Sequence, residues 1–308
     1  MKRYTEGPEW TLSEIEADCV LAAQQFRLRR ASEPLEDYLA EFKTAEAAAD
    51  AIIDQLPQIL GQPPNQELLA DLVADKDLGM ALRYLAAPPI SEDDLDTVLA
   101  VKVTHRALRL DAAVAEGLVS LLPQTIDPMR FPWIREEVEP TDEQMLAAKL
   151  STAVVATIQR VQTKRRSEEN RALETAVENL LKELGYERLP TPGGAISNFR
   201  DAPAPGRYMV AVALGGDNGD CVIGLSDGRC LALECKSSNS VINSRKRLNK
   251  EVVKDGENWR RQFGNQLVAG AVLRGVYQPR YVLEAQQTPL LIFWEHNLGA
   301  LRSFIESV

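Results

Sequence analysis

A chain of 308 residues, 45% hydrophobic and 26% charged, has room for one large domain or two ordinary ones, with a core that needs no disulfide or metal staples. That composition, with 18 glycines and 17 prolines, excludes disordered and fibrous classes. The net charge of −10 argues at first against a polyanionic partner, but it is unevenly spread. Residues 1–140 carry 13 basic and 26 acidic side chains, and residues 141–308 carry 22 and 19. Within residues 237–280, nine Lys/Arg face three Asp/Glu, so the C-terminal half is the candidate for nucleic acid, because phosphate binding follows local fields.

No stretch approaches the roughly 18 consecutive apolar residues that span a bilayer, and MKRYTEGPEW lacks the apolar segment of a signal peptide. The expectation is a soluble, cytoplasmic protein with no membrane partner. Cys19, Cys221, Cys230 and Cys235, with His105 and His296, form no paired metal-ligand spacing, which excludes a zinc finger and leaves free, reduced, mostly buried thiols. Neither histidine stands in a hydrolase context, so both read as packing or surface residues.

In chain order, EADCVLAAQQFRLRR, PLEDYLAEFKTAEAAADAIIDQL, NQELLADLVADKDLGMALRYL and SEDDLDTVLAVKVTHRALRL have apolar residues at three- and four-residue spacing and are expected to be helices. Ser91 and Asp94 open the fourth as a capping box does. The proline-rich stretch from Pro123 to Pro140 reads as an extended connector packed through Phe131 and Trp133. It is the expected boundary between a helical N-terminal domain, residues 1–140, and a second domain, residues 141–308. Residues 141–185 follow as one long helix or two, basic in the middle through Arg160, Lys164, Arg165, Arg166 and Arg171, with Gly185 as the C-cap. From Tyr208 the period changes to that of strands in YMVAVAL, CVIGL and RCLALECK. A helix over 258–272, the strands RYVLEA and PLLIFWE, and a closing helix LGALRSFIES complete an α/β fold with a mixed central sheet flanked by helices.

The informative segment is GDNGDCVIGLSDGRCLALECKSSNSVINSRKRLNKE. A three-residue loop Ser226-Asp227-Gly228 pairs Leu225 with Arg229, so paired numbers sum to 454 and Asp220 faces Glu234, with Cβ atoms about 5 Å apart. Period-2 alternation puts Glu234 and Lys236 on that same face. A two-residue Asp-Gly turn would shift the register by one and send Asp220 to the other side. Two carboxylates and a lysine on an apolar hairpin are costly to place unless something binds them. Hard oxygen ligands from Asp220 and Glu234 suit Mg²⁺, and Lys236 suits orienting or deprotonating an attacking water. The plain alternative is a surface hairpin with a Glu/Lys cross-face pair.

Asp220, thirteen intervening residues and Glu234-Cys235-Lys236, with Gly219 where proline often stands, resemble the signature of the PD-(D/E)XK nuclease superfamily. The following SSNSVINSRKRLNKE, with WRRQFG and LLIFWEHNL, resembles type II restriction endonucleases, specifically the XamI-like family. The likeness extends through Glu33-Pro34 to Tyr38 and Phe42, ISEDDLDT, RFPWI and RVQTKRRSEENRALETAV. The resemblance implies Mg²⁺-dependent cleavage of double-stranded DNA at a short, palindromic sequence within a restriction-modification system, with no small-molecule cofactor. It implies Asp220 and Glu234 as metal ligands and Lys236 as catalytic lysine. It further implies a carboxylate from the preceding helix, Glu174 being favoured over Glu178.

In the basic segment, Asn239, Ser240, Asn243, Ser244 and Asn249 are short donors and acceptors for base edges or phosphates, while Arg245, Lys246, Arg247 and Lys250 neutralise phosphates. Arg260 and Arg261 are secondary candidates for backbone contact. Cutting both strands at a palindrome calls for two symmetry-related sites, hence a homodimer, with the N-terminal helices as dimer contact or DNA embrace through residues such as Arg27, Arg29 and Arg30. Two alternatives differ in outcome: a repair or junction nuclease would prefer structured DNA, and a non-catalytic DNA-binding module would not cleave.

Overall fold

A computed structural model describes residues 7–32 and 35–308; Glu33 and Pro34, where the family likeness was expected to begin, lie outside the described residues. In chain order the helices before the sheet are α1 (Leu12–Ala31), α2 (Leu35–Asp54), α3 (Leu56–Ile59), α4 (Gln66–Ala74), α5 (Lys76–Arg83), α6 (Glu92–Leu99), α7 (His105–Leu110), α8 (Ala112–Thr125), α9 (Pro132–Glu136) and α10 (Asp142–Glu183). Then come β1 (Glu187–Arg188), β2 (Arg207–Leu214), β3 (Asp217–Gly224), β4 (Cys230–Ser238), α11 (Val241–Arg245), a π-helix (Lys246–Val252), α12 (Val253–Phe263), β5 (Leu267–Gly275), α13 (Pro279–Gln286), β6 (Leu290–Trp294) and α14 (Leu298–Ser307). No helix among the described residues is long and apolar enough to cross a membrane.

The described residues form two compact units, one of residues 35–165 and one that joins 7–32 to 166–308. This division differs from a break at Pro140. Residues 142–183 run as a single helix with no breaker, and α1 belongs with the sheet because Ile15, Cys19 and Ala22 enter its core. The helical unit closes around Ile52, Ile59, Leu69, Leu82, Leu108 and Leu118. Phe131 and Trp133 pack edge to face within it, 5.4 Å between centroids, as expected of the connector's aromatics, but the connector is not extended: α8 runs through Pro123 and α9 covers Pro132–Glu136. Two stretches expected as single helices are each divided in two. Asp75 caps α5 by accepting from the N–H groups of Asp77 and Leu78, and Thr104 caps α7 by accepting from that of Ala107. Ser91 accepts from the Asp94 N–H at 3.0 Å, as the capping pattern predicts.

The sheet unit holds six strands in the order β1-β2-β3-β4-β5-β6 among the described residues. β2, β3 and β4 form an antiparallel meander, β1 runs parallel to β2, and β4, β5 and β6 run parallel to one another. One face is covered by residues of α1, α12 and α13, among them Trp259 and Val282; the other by Leu173, Val177 and Leu181 of α10 with Leu301, Phe304 and Ile305 of α14. Each fully buried Leu or Phe in these layers contributes roughly 1.5–3 kcal/mol.

Two elements reverse the expectation from sequence. The helix expected over 258–272 stops at Phe263, where Gly264 adopts φ +62°, and LVAGAVLRG becomes β5, buried along its whole length between two neighbouring strands. A continuous apolar run of that length fits a central parallel strand as well as a buried helix, so periodicity alone does not separate them. RYVLEA, expected as a strand, is helical in α13 because Pro279 occupies the first turn and Val282, Ala285 and Gln286 are buried at helical spacing. The long helix α10 and the left-handed Gly185 just beyond it (φ +78°) follow the sequence reading.

Candidate active site

The loop Ser226-Asp227-Gly228 sets the geometry of the site. The Leu225 N–H donates to the Arg229 carbonyl at 2.8 Å and the Gly228 N–H to the Leu225 carbonyl at 3.1 Å, with Gly228 at φ +85°. Asp227 Oδ1 accepts from the Arg229 N–H at 2.9 Å and tightens the turn. The resulting pairs, Cys221 with Leu233, Val222 with Ala232 and Ile223 with Leu231, carry the register expected for a three-residue loop. Cys221, Ile223, Leu231, Leu233 and Cys235 pack under α10 and α14, while Val222 and Ala232 face the opposite core. One step further along the register, Asp220 meets the segment Glu234–Lys236, and its Oδ2 accepts the Cys235 N–H at 2.7 Å.

Glu234 is 2% exposed and forms an ion pair with Lys236, whose Nζ is also 3.9 Å from Asp220 Oδ2. The Glu234 Oε2 atom is buried with the Lys236 ammonium against it. Burial pushes the Glu234 carboxyl above its ordinary range, and the Asp220 charge pushes the same way, while Lys236 opposes them. Burial alone would lower the Lys236 ammonium; Glu234, Asp220 and then Glu251 of the π-helix outweigh it, so Lys236 is held charged. The Tyr277 hydroxyl donates to the Lys236 carbonyl at 2.8 Å and ties β4 to the segment after β5.

On the other side of Asp220 lies a cavity of about 230 Å³, lined by Glu174 and Glu178 of α10, Arg188 of β1, Ala211 of β2, Asp220 and Cys235 among others. Glu234 and Lys236 are not part of its lining. Both helix carboxylates considered from sequence are therefore brought to Asp220, since positions 174 and 178 lie one turn apart beside the buried Leu173 and Val177. Burial raises the Glu174 carboxyl, with the Asp220 charge next in weight. Ala211, between the pairs Val210 with Cys221 and Val212 with Gly219, stands opposite Asp220 with φ +50°. A non-glycine residue in that conformation costs about 1–3 kcal/mol, and such strain concentrates at functional sites. Neither Ala211 nor Arg188 has a signal in sequence, because each depends on which strands become neighbours.

The donor set suits a hard divalent cation: carboxylate oxygens from Asp220 and Glu234, the latter buried against the Lys236 ammonium, and the Glu174 carboxyl in the adjoining cavity. Among the described residues, no group of three or more His, Cys, Asp and Glu side chains is gathered tightly enough to hold a metal ion by itself.

The basic segment after β4 divides into inward and outward residues. Ser240 caps α11 by accepting from the Asn243 N–H at 3.3 Å. Ser244 is fully buried and donates to the Val241 carbonyl at 2.6 Å, which removes it from any surface that a duplex reaches. Arg247 donates to the Ser237 carbonyl, and Asn249 Nδ2 donates to Glu284 at 3.1 Å, so both turn polar atoms inward. Asn239, Asn243, Arg245, Lys246 and Lys250 are exposed; Asn243 donates to Asn239 at 2.8 Å, and the Arg245 guanidinium lies 5.6 Å from the Tyr281 ring centre. Arg260 is half-buried and Arg261 exposed on α12. Arg29 and Arg30, at the end of α1, form ion pairs with Glu295 at 3.7 Å and Glu169 at 3.3 Å.

Comparison with known proteins adds an independent observation. The family model described as XamI restriction endonuclease matches residues 64–294, a span that contains Asp220, Glu234, Lys236 and the basic segment. A relative named "Type II restriction enzyme XamI", from Xanthomonas campestris pv. amaranthicola, is 33% identical over 275 residues, covering 89% of this chain and 98% of its own length. No solved structure matches the chain.

Proposed function

This chain belongs to the XamI restriction endonuclease family, and from that premise we propose that Asp220, Glu234 and Lys236 form the centre at which it hydrolyses phosphodiester bonds of double-stranded DNA. The family makes it a site-specific DNA-cleaving enzyme of type II. The observation that carries the site assignment is the convergence of a buried carboxylate, a second carboxylate and a lysine at one end of the β3–β4 hairpin, in an otherwise apolar sheet. The strand meander β2-β3-β4, the crossover through α12 and the parallel β5 support a PD-(D/E)XK core within the sheet unit.

Asp220 and Glu234 are the residues that would hold Mg²⁺, with Glu174 contributing from the adjoining cavity. Mg²⁺ would there lower the pKa of a bound water and offset charge on the phosphoryl oxygens. Lys236 orients the attacking water toward phosphorus and neutralises negative charge as the bond to the leaving oxygen breaks. The Cys235 N–H fixes Asp220 by its 2.7 Å hydrogen bond, and Tyr277 fixes the strand that carries Lys236. Asn239, Asn243, Arg245, Lys246 and Lys250 supply the DNA contacts of the segment beside the site, while Ser240, Ser244, Arg247 and Asn249 shape its backbone. Two copies related by a two-fold axis cut the two strands of a palindrome, and the helical unit supplies outer DNA or subunit contacts.

The test is incubation of the protein with phage and plasmid DNA, with Mg²⁺ or with EDTA, beside Lys236→Ala and Asp220→Ala. Discrete fragments that require Mg²⁺, and are lost in both variants while DNA binding remains, are the expected result. Cleavage retained by either variant would overturn the site assignment.

A further inference from the structure

Resting on that reading of the site, we propose that Arg188 is a phosphate-binding residue of the reaction, holding a phosphodiester of the bound DNA at the mouth of the carboxylate cavity. Arg188 lies on β1, the edge strand, paired with Tyr208 of β2. Its Nη1 donates to Glu178 Oε2 at 3.0 Å, and the Tyr208 hydroxyl donates to the same oxygen at 3.4 Å. The Glu178 side chain is 17% exposed and that of Arg188 is 52% exposed, so an anchored carboxylate holds a guanidinium that reaches solvent.

The charges around the cavity give this placement a consequence. Among the described residues its lining holds three carboxylates, Glu174, Glu178 and Asp220, and one cationic side chain, Arg188. A divalent cation at the carboxylates balances that lining, and an arriving phosphodiester then meets one positive group on the cavity wall. A guanidinium presents five N–H donors in a planar fork that matches phosphate oxygens two at a time. Among the described residues, Glu178 engages Nη1 of Arg188, and the half-exposed side chain leaves its remaining donors accessible to solvent. A half-exposed ion pair is worth only about 0–1 kcal/mol to the fold, so the pairing with Glu178 positions the arginine more than it stabilises the protein.

The experiment uses the whole protein and the cleavage site mapped from wild-type products. Arg188→Gln, which removes the charge and shortens the side chain while keeping an amide N–H donor, and Arg188→Lys, which keeps the charge, are compared with wild type in steady-state cleavage. Binding to a fragment carrying the site is measured over a KCl series in the Lys236→Ala background. Arg188→Gln is expected to reduce the slope of log affinity against log salt by about 0.9, the change for one lost phosphate contact, and to lower kcat/KM at least tenfold. Arg188→Lys is expected to restore the slope and part of the cleavage. An unchanged slope in Arg188→Gln overturns the assignment, whether or not thermal stability falls, because a structural arginine would shift the melting midpoint alone. If wild type cuts no DNA with Mg²⁺, the nuclease reading fails and this assignment falls with it; cleavage by wild type with an unchanged Arg188→Gln slope overturns this assignment alone.

Discussion

Replacing Trp259 by alanine and by phenylalanine separates two contributions that the structure places in one side chain. Trp259 lies on α12, is 1% exposed, and its indole packs beside Gly219, the residue before Asp220: a methyl added at Gly219 would sit 3.5 Å from indole Cζ2. Trp259→Ala removes the whole buried ring and leaves a void under β3, at a cost of about 3–5 kcal/mol. Among the described residues the indole N–H is buried without an acceptor, and such a group costs about 1–3 kcal/mol in lost hydration. Trp259→Phe gives up part of the ring volume and removes that penalty together, so the two offset and the variant is expected within about 1 kcal/mol of wild type. Urea unfolding followed by far-ultraviolet circular dichroism reads both values without depending on tryptophan emission. Phe is also expected to keep cleavage, because the Gly219–Asp220 backbone stays supported, whereas Ala loses it. If phenylalanine costs as much as alanine, the unpaired indole N–H is not a liability and the offset reasoning is wrong.

In the helical unit, Glu41 accepts from Arg160 Nε at 2.9 Å and pairs with Lys164 at 3.3 Å; burial would raise its carboxyl, but these two partners outweigh it and hold it below the ordinary range. A depressed carboxyl contributes stability that is complete above its unfolded value near 4.5 and is lost as pH falls through the folded value. Arg160→Ala is therefore expected to destabilise the protein at pH 7 by about 1–3 kcal/mol, with the difference from wild type shrinking as pH falls below that value; a pH-independent difference in urea midpoint would contradict this account. Gly275, at the end of β5, has φ +93°, and a methyl there would stand 2.1 Å from the Ser238 carbonyl oxygen. Gly275→Ala is expected to cost about 2 kcal/mol or more through left-handed strain and overpacking of the β4 end, measured as a lowered unfolding midpoint.

What was legible in the sequence is local in origin. The hairpin register follows from the three residues Ser226-Asp227-Gly228, because a loop of that length with a left-handed glycine leaves one pairing, and the pairing alone brings Asp220 to Glu234 and Lys236. Ser91 and Gly185 marked helix ends for the same reason: a cap is decided by residues three or four apart. The family, too, was legible, in the string from Glu234 through the basic segment.

Tertiary structure decided the rest, where the deciding partner is distant in the chain. LVAGAVLRG is a strand because β4 and β6 flank it, and RYVLEA is a helix because Val282 and Ala285 find the sheet at helical spacing; neither run carries enough local preference to choose. The fate of the basic segment was likewise settled by packing. Ser244 and Arg247 look like surface donors in sequence, yet one is buried and the other bonds the Ser237 carbonyl. The cavity that joins Glu174, Glu178, Arg188 and Asp220 draws on α10, β1 and β3, so its charge balance exists only once the sheet has formed.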